Sequence, residues 1–260
     1  MRDGLRSVGV VVSLTARLEL LDSCVVSDAL DRLGLQQVVT GIAPLWACPR
    51  IVGPVRTVEL RPLGTGETAP PGPHLGTRAI ESSTPGDVVV VAHQGRSDSA
   101  GWGGLLSTAA VVAGIRGVLI DGACRDIDEA VELRLPLYAR SATSVTARGR
   151  TVEAASGDPV TVDGVIVSEG DLVLADRSGV VFVPLQAAAD VISLAEELAD
   201  EEERMRSALL RGTAVSTVLG RRYETLLDDT AETVAQTSGQ MVTGGSEVGD
   251  VHRGVRDADS

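Results

Sequence analysis

Arg125 and Asp126 stand side by side at the end of Gly117-Val118-Leu119-Ile120-Asp121-Gly122-Ala123-Cys124. The apolar run reads as a buried strand, and Gly122 then turns the chain. Open α/β folds bind ligands in the crevice beyond such strand ends. A guanidinium grips a carboxylate in bidentate fashion. A carboxylate holds a hard cation such as Mg²⁺, which keeps several waters and needs only one or two protein oxygens. Together the two residues suit an anionic substrate beside a divalent metal. On the dipeptide alone, the plain alternative is a surface ion pair after a turn.

A second junction lies earlier in the chain. A strand over Val88 to Ala92 ends near His93, a glycine-rich loop runs from Gly95 to Gly104, and a helix follows from Leu105 to Ile115. Gly103, Gly104, Leu105 and Leu106 would offer bare amide donors and the positive end of a helix dipole, a setting that binds carboxylate or phosphate. Glycine there lets a ligand approach the backbone. A 2-oxo acid would satisfy both junctions, with its carboxylate on these amides and Arg125, and its carboxylate and keto oxygens on a metal at Asp126.

Other residues carry two readings each. His93 either joins the site or makes a structural hydrogen bond. Asp121 either orients Arg125 or caps the turn. Cys124 either is activated by Arg125 or is a buried, inert thiol. A Ser-His-Asp triad through Ser97 or Ser99 lacks a nucleophile elbow. A dinucleotide-binding unit is imitated by strand, glycine loop, helix and Asp121, but Gly101, Gly103 and Gly104 do not spell G-x-G-x-x-G.

Composition narrows the chemistry. The chain has 260 residues and a formal charge of −13, which argues against nucleic acid and against anionic lipid as partners. There is no lysine anywhere, so Schiff-base catalysis, pyridoxal phosphate chemistry and a Walker A loop are excluded. Bond making or breaking beside a carbonyl then needs a metal or another electrophile. Cys24, Cys48 and Cys124 are widely spaced with no C-x-x-C, so reduced cytoplasmic thiols are expected and a zinc site is not. No apolar run reaches 18 residues, so no membrane span is expected. Met1 to Ala16 carries Asp3 early and lacks a signal-peptide pattern.

The elements that must position these residues follow an α/β order. Asp22 to Leu33 reads as a helix with Ser23 or Ser27 as cap and Gly34 as stop. Ile51 to Leu60 alternates like a strand. Gly64 to Gly76 is a Gly/Pro-rich loop. Asp126 to Leu133 is a short helix. Pro136 to Val183 reads as several short strands, mostly with non-parallel pairing. Leu185 to Leu210 is a long amphipathic helix whose acidic stretch, Glu196 to Glu203, is a solvated face or a carboxylate source for a neighbouring subunit. The expected division is an N-terminal segment 1–21, a main domain 22–212, a C-terminal helix 213–227 and a disordered tail 228–260.

Five blocks in this order resemble a known family. They are Val26-Ser27-Asp28-Ala29-Leu30-Asp31-Arg32-Leu33-Gly34, Gly53-Pro54-Val55-Arg56-Thr57-Val58, Trp102-Gly103-Gly104-Leu105-Leu106-Ser107-Thr108-Ala109-Ala110, Gly117 to Asp126, and Ser178-Gly179-Val180-Val181-Phe182-Val183-Pro184. The chain resembles the RraA-like group, which includes 4-hydroxy-4-methyl-2-oxoglutarate aldolase and oxaloacetate decarboxylase. The resemblance implies an αββα sandwich related to swivelling phosphohistidine domains. It implies a homotrimer or homohexamer with active sites at subunit interfaces, and Mg²⁺ or Mn²⁺ as cofactor. Arg125 falls on the family's substrate-binding position and Asp126 on its metal ligand. Gly103, Gly104, Leu105 and Leu106 fall on the loop whose amides receive the oxo acid. The implied activity is class II carbon–carbon cleavage, by retro-aldol reaction or decarboxylation through a metal-stabilised, pyruvate-type enolate. Aldolase members often carry an acidic residue 21 positions before the arginine, where this chain has Gly104. Asp98 is a candidate stand-in. The family also holds a non-catalytic regulator, the ribonuclease E inhibitor RraA, whose branch generally lacks the Arg-Asp pair. Non-catalytic regulation is the alternative function.

Overall fold

Strands covered on both faces read as continuous apolar runs, and two such runs organise this molecule. Every residue of Val88-Val89-Val90-Val91-Ala92 and of Gly117 to Cys124 is buried. The computed structural model, which describes residues 13–220, sets them as neighbours inside a nine-stranded mixed sheet. The strands in chain order are β1 (Val38–Val39), β2 (Ala43–Pro44), β3 (Ile51–Pro62), β4 (Val88–Ala100), β5 (Gly117–Cys124), β6 (Leu137–Ala142) and β7 (Thr151–Ser156), then β8 (Val160–Val162), β9 (Val165–Val167), β10 (Leu172–Ala175) and β11 (Val180–Val183). The helices are α1 (Leu14–Leu18), α2 (Ser23–Arg32), α3 (Thr77–Ser82), α4 (Gly104–Val112), α5 (Ile127–Glu132), α6 (Ala188–Leu210) and α7 (Val215–Val218).

The sheet runs β1-β11-β10-β3-β4-β5-β6-β2, with β7 added on β3 and β8–β9 as a separate hairpin. The pairs β3–β4, β4–β5 and β5–β6 are parallel, and their crossovers carry α3, α4 and α5. The pairs on β1, β2, β7, β10 and β11 are antiparallel. Because β4 and β5 are parallel neighbours, the chain leaves both at the same edge. That edge is where α4 and α5 begin.

Side chains alternate along the strands, and the alternation sorts the core into three groups. Val89 and Val91 of β4, with Val118 and Ile120 of β5, pack with Ala79, Ile80, Leu106, Ala110 and Ala130 from α3, α4 and α5. Val88, Val90 and Leu119 face the other way, toward Val173, Val180, Phe182 and the β8–β9 hairpin. Leu172 and Leu174 of β10 join Val25, Val26, Leu30, Val191 and Ile192 from α2 and α6.

Three elements differ from expectation. The cap of α2 is Asp22, whose Oδ1 accepts from the amides of Cys24 and Val25 at 3.0 Å each; Ser23 and Ser27 lie inside the helix. Asp serves as well as Ser at that position, so propensity could not separate them. The stretch from Gly95, expected as loop, begins as strand: β4 runs to Ala100, and its pairing with β5 shifts twice, after Ala92 and after Arg96. Positive φ at Gln94 (56°) and Gly95 (67°) marks the break, so the chain bulges and then re-pairs. In the segment expected as a C-terminal helix, the described part holds α7 alone; residues 221–227 and the expected tail 228–260 lie outside the described residues. No helix among those described is long and apolar enough to cross a membrane.

The middle group of core residues makes a stability prediction. Phe182 is 0% exposed within it, whereas Ile166 on the hairpin is 67% exposed. Phe182→Ala is expected to cost about 3–5 kcal/mol, and Ile166→Ala less than about 0.5 kcal/mol, measured by urea denaturation. Similar losses for both would contradict this packing.

Candidate active site

Beyond β4 and β5 the backbone clasps itself. The Gly101 amide donates to the Ala123 carbonyl (2.8 Å) and the Arg125 amide to the Trp102 carbonyl (3.1 Å). The Gly104 amide, first of α4, donates to Asp126 Oδ2 at 2.9 Å. Asp126 itself sits in the left-handed region (φ 60°, ψ 45°), as the residue before α5. Such a conformation costs an ordinary residue roughly 1–2 kcal/mol, and here it turns the carboxylate toward α4. Close approach needs glycine at 103, where a Cβ would lie 3.0 Å from Asp126 Oδ2 and 3.2 Å from Arg125 Cγ.

This clasp borders a pocket of about 550 Å³ lined by Gly103, Gly104, Leu105, Leu106, Arg125 and Asp126, six residues expected there from sequence. Arg125 donates through Nε to both Asp126 oxygens, at 3.1 and 3.0 Å. Its two Nη groups make no hydrogen bond among the described residues, so the outer fork is free for a ligand. The amides of Leu105 and Leu106, in the first turn of α4, likewise have no protein acceptor among the described residues, as expected of a helix N-terminus.

Glu129 also lines the pocket, and sequence reasoning missed it. A Cβ built on Gly104 would fall 1.7 Å from Glu129 Oε2. The carboxylate of Glu129 therefore occupies the space that a side chain at position 104 would fill. The available signal was proximity: Glu129 follows Asp126 by three residues, in the first turn of the helix that Asp126 precedes.

The remaining candidates lie elsewhere. His93 is fully buried, its Nε2 is 2.9 Å from the Ser99 carbonyl oxygen, and it packs under Gly101 and Gly122. Burial holds its imidazole below the ordinary value, and it is not among the residues that line the pocket. Asp121 is buried and accepts from Arg140 Nε; it does not orient Arg125. Asp98 is exposed and bound by Arg96 through two bonds of 2.9 Å, away from the pocket, so it does not stand in for an acid at 104. Cys124 is buried, and burial, reinforced by the Asp126 charge, pushes its thiol up to about 12.

The profile of the RraA-like family, described as Aldolase/RraA, matches residues 23–182. Protein DlpA of Legionella pneumophila is 27% identical over 203 residues, which are 78% of this chain and 32% of that protein, so the chain spans about a third of its length. A Halalkalibacterium halodurans protein, provisionally named 4-hydroxy-4-methyl-2-oxoglutarate aldolase, is 30% identical over 198 residues, 75% of this chain and 89% of that one. The crystal structure of Streptomyces coelicolor RraAS2, named as an unusual member of the RNase ES inhibitor RraA protein family, superposes with a TM-score of 0.67 at 28% identity. It covers 74% of this chain and 95% of the other.

The thiols offer a check on this geometry. At neutral pH iodoacetamide is expected to alkylate Cys24, which is exposed, and to spare Cys48 and Cys124, which are buried, as read by peptide mass spectrometry. Ready alkylation of Cys124 in the folded protein would place it, and Arg125 beside it, wrongly.

Proposed function

The chain belongs to the RraA-like family, and from that premise and the pocket's geometry we propose that it is a divalent-metal-dependent lyase acting on a 2-oxo acid. Relatives named as aldolases support the lyase class. The observation that carries the reading is the convergence of a free guanidinium fork, two unpaired amides and two carboxylates on one pocket.

Each group has a task. The Arg125 fork and the amides of Leu105 and Leu106 bind and orient the oxo acid's carboxylate. Asp126 is the hard oxygen donor that suits Mg²⁺ or Mn²⁺. A carboxylate offers about four acceptor sites, and three contacts to Asp126 are recorded, so an acceptor position remains. No group of three or more His, Cys, Asp or Glu side chains fit to hold a metal occurs among the described residues. A Mg²⁺ ion that keeps its waters needs only one or two such ligands. When bound, the cation supplies the electrophile that a chain without lysine cannot offer as a Schiff base. Glu129 Oε2, set above Gly104, is placed to hold a proton for the departing fragment. In this chain it takes the role of the acid that aldolase members carry at 104.

Assembly belongs to the same proposal. Leu105 and Val112 are 83% and 85% exposed, seven residues apart on one face of α4 beside the pocket. That face suits burial against a second copy, as in a trimer or hexamer. The three core groups support an αββα layering of the swivelling-domain kind. Non-catalytic regulation draws on the likeness to RraAS2; the open Arg125 fork and the paired carboxylates favour catalysis.

Oxaloacetate decarboxylation tests the reading, with the metal ion alone as the background. Pyruvate formation above that background is expected with Mg²⁺ or Mn²⁺, and its loss is expected with excess EDTA or in Asp126→Asn. Undiminished turnover in EDTA would sink the metal-dependent mechanism. Arg125→Ala should weaken pyruvate binding by about tenfold or more while Mn²⁺ affinity, followed by calorimetry, stays nearly unchanged.

A further inference from the structure

The pocket holds more cationic chemistry than one carboxylate requires. His74 and Arg148 line it together with Arg125. His74 comes from the Gly/Pro-rich segment before α3, and Arg148 from the loop between β6 and β7. A volume of about 550 Å³ lies in the range of pockets that enclose drug-sized ligands, well beyond a three-carbon acid.

Both side chains stand on anchored backbone. The His74 carbonyl accepts from the Thr77 amide at 3.2 Å. The next two residues are buried, and a Cβ on Gly76 would lie 3.0 Å from the Trp102 ring. Arg148 follows the buried Ala147, whose carbonyl accepts from the amides of Arg150 and Thr151 at 2.9 Å each.

Charge partners separate Arg148 from seven other arginines among the described residues. Arg17, Arg56, Arg61, Arg78, Arg96, Arg116 and Arg140 each hold a carboxylate, whereas no ion pair among the described residues involves Arg148. The nearby acid, Glu153, is already engaged: it accepts from the Gly76 amide at 2.6 Å and from Arg78 at 3.3 Å. Burial first, and then the charge of Arg148, hold His74 below its ordinary value. Both residues are exposed to solvent at the pocket they line.

We propose that Arg148, with His74 as a hydrogen-bonding neighbour, is a second anion subsite that binds a carboxylate distal to the 2-oxo acid end of the substrate. The inference rests on the reading that this pocket takes a 2-oxo acid, and it makes Arg148 the residue that selects dicarboxylic over monocarboxylic members of the class. It also bears on the reaction. In decarboxylation of oxaloacetate the distal carboxylate leaves as neutral CO₂, so a guanidinium that grips it favours the bound state over the transition state. In retro-aldol cleavage of a dicarboxylic 4-hydroxy-2-oxo acid that carboxylate stays charged on the departing carbonyl fragment, and the grip persists.

Titrations of the full chain in Mn²⁺ with pyruvate and with 2-oxoglutarate, together with oxaloacetate kinetics, test this. In the wild type 2-oxoglutarate should bind more tightly than pyruvate. Arg148→Gln should remove about tenfold or more of 2-oxoglutarate affinity, raise the KM for oxaloacetate similarly, and leave both pyruvate affinity and kcat undiminished. Arg148→Lys should retain part of the preference, because it keeps the charge but not the planar fork. His74→Gln should show a smaller loss of the same kind. Equal weakening of pyruvate and 2-oxoglutarate, or no change in either, would overturn the subsite and leave Arg148 a structural or solvated cation. Failure of the wild type to bind pyruvate at all would instead remove the 2-oxo acid reading on which the subsite depends.

Discussion

Three hydrogen bonds tie the segment after β4 to the end of β5 and the residues beyond it: Gly101 to Ala123, Arg125 to Trp102, and Gly104 to the side chain of Asp126. The first two are backbone bonds that parallel neighbours can make once their ladder has shifted register. The third lets a carboxylate stand at a helix N-terminus, where the dipole favours negative charge. The pocket's other features depend on that clasp. It orients Arg125 through Nε so that the outer fork stays free, it holds Asp126 in a left-handed conformation, and it brings α5 close enough for Glu129 to lie over Gly104.

Permanent positive charge is the second theme of the molecule. With lysine absent, every fixed cationic side chain is a guanidinium, which does not deprotonate in proteins. Two buried acids are met by arginine, Asp87 by Arg56 and Asp121 by Arg140, and a third, Asp171, by the amides of Ser168 and Leu185. The same residue type lines the pocket, so its cations stay charged at any pH the fold survives. What can titrate there is carboxylate and imidazole.

The parts legible in sequence were those written in local pattern. Arg125 and Asp126 stood out because an apolar run, a glycine and a charge pair mark a strand end, and the parallel neighbours β4 and β5 turn that end toward the start of α4. Glu129 was hidden because its partner is an empty position, Gly104, reached only across a crossover. His93, Asp121 and Asp98 looked adjacent to the site along the chain. Two register shifts in β4 and the turn at Gly122 redirect the pleat there, and no one-dimensional pattern records which face each side chain takes. The bulge at Gln94 and Gly95 misled in the same way, since glycine beside polar residues reads as loop whether or not the strand resumes.

The overlap between Gly104 and Glu129 has a consequence for how such sites diverge. A carboxylate brought from α4 and one brought from α5 compete for a single volume, so the two positions cannot both be acidic in this geometry without one side chain swinging away. What the two positions share is a volume rather than a place in the chain. Alignment columns read one at a time would register glycine at 104 and miss that the carboxylate of Glu129 lies in the same space.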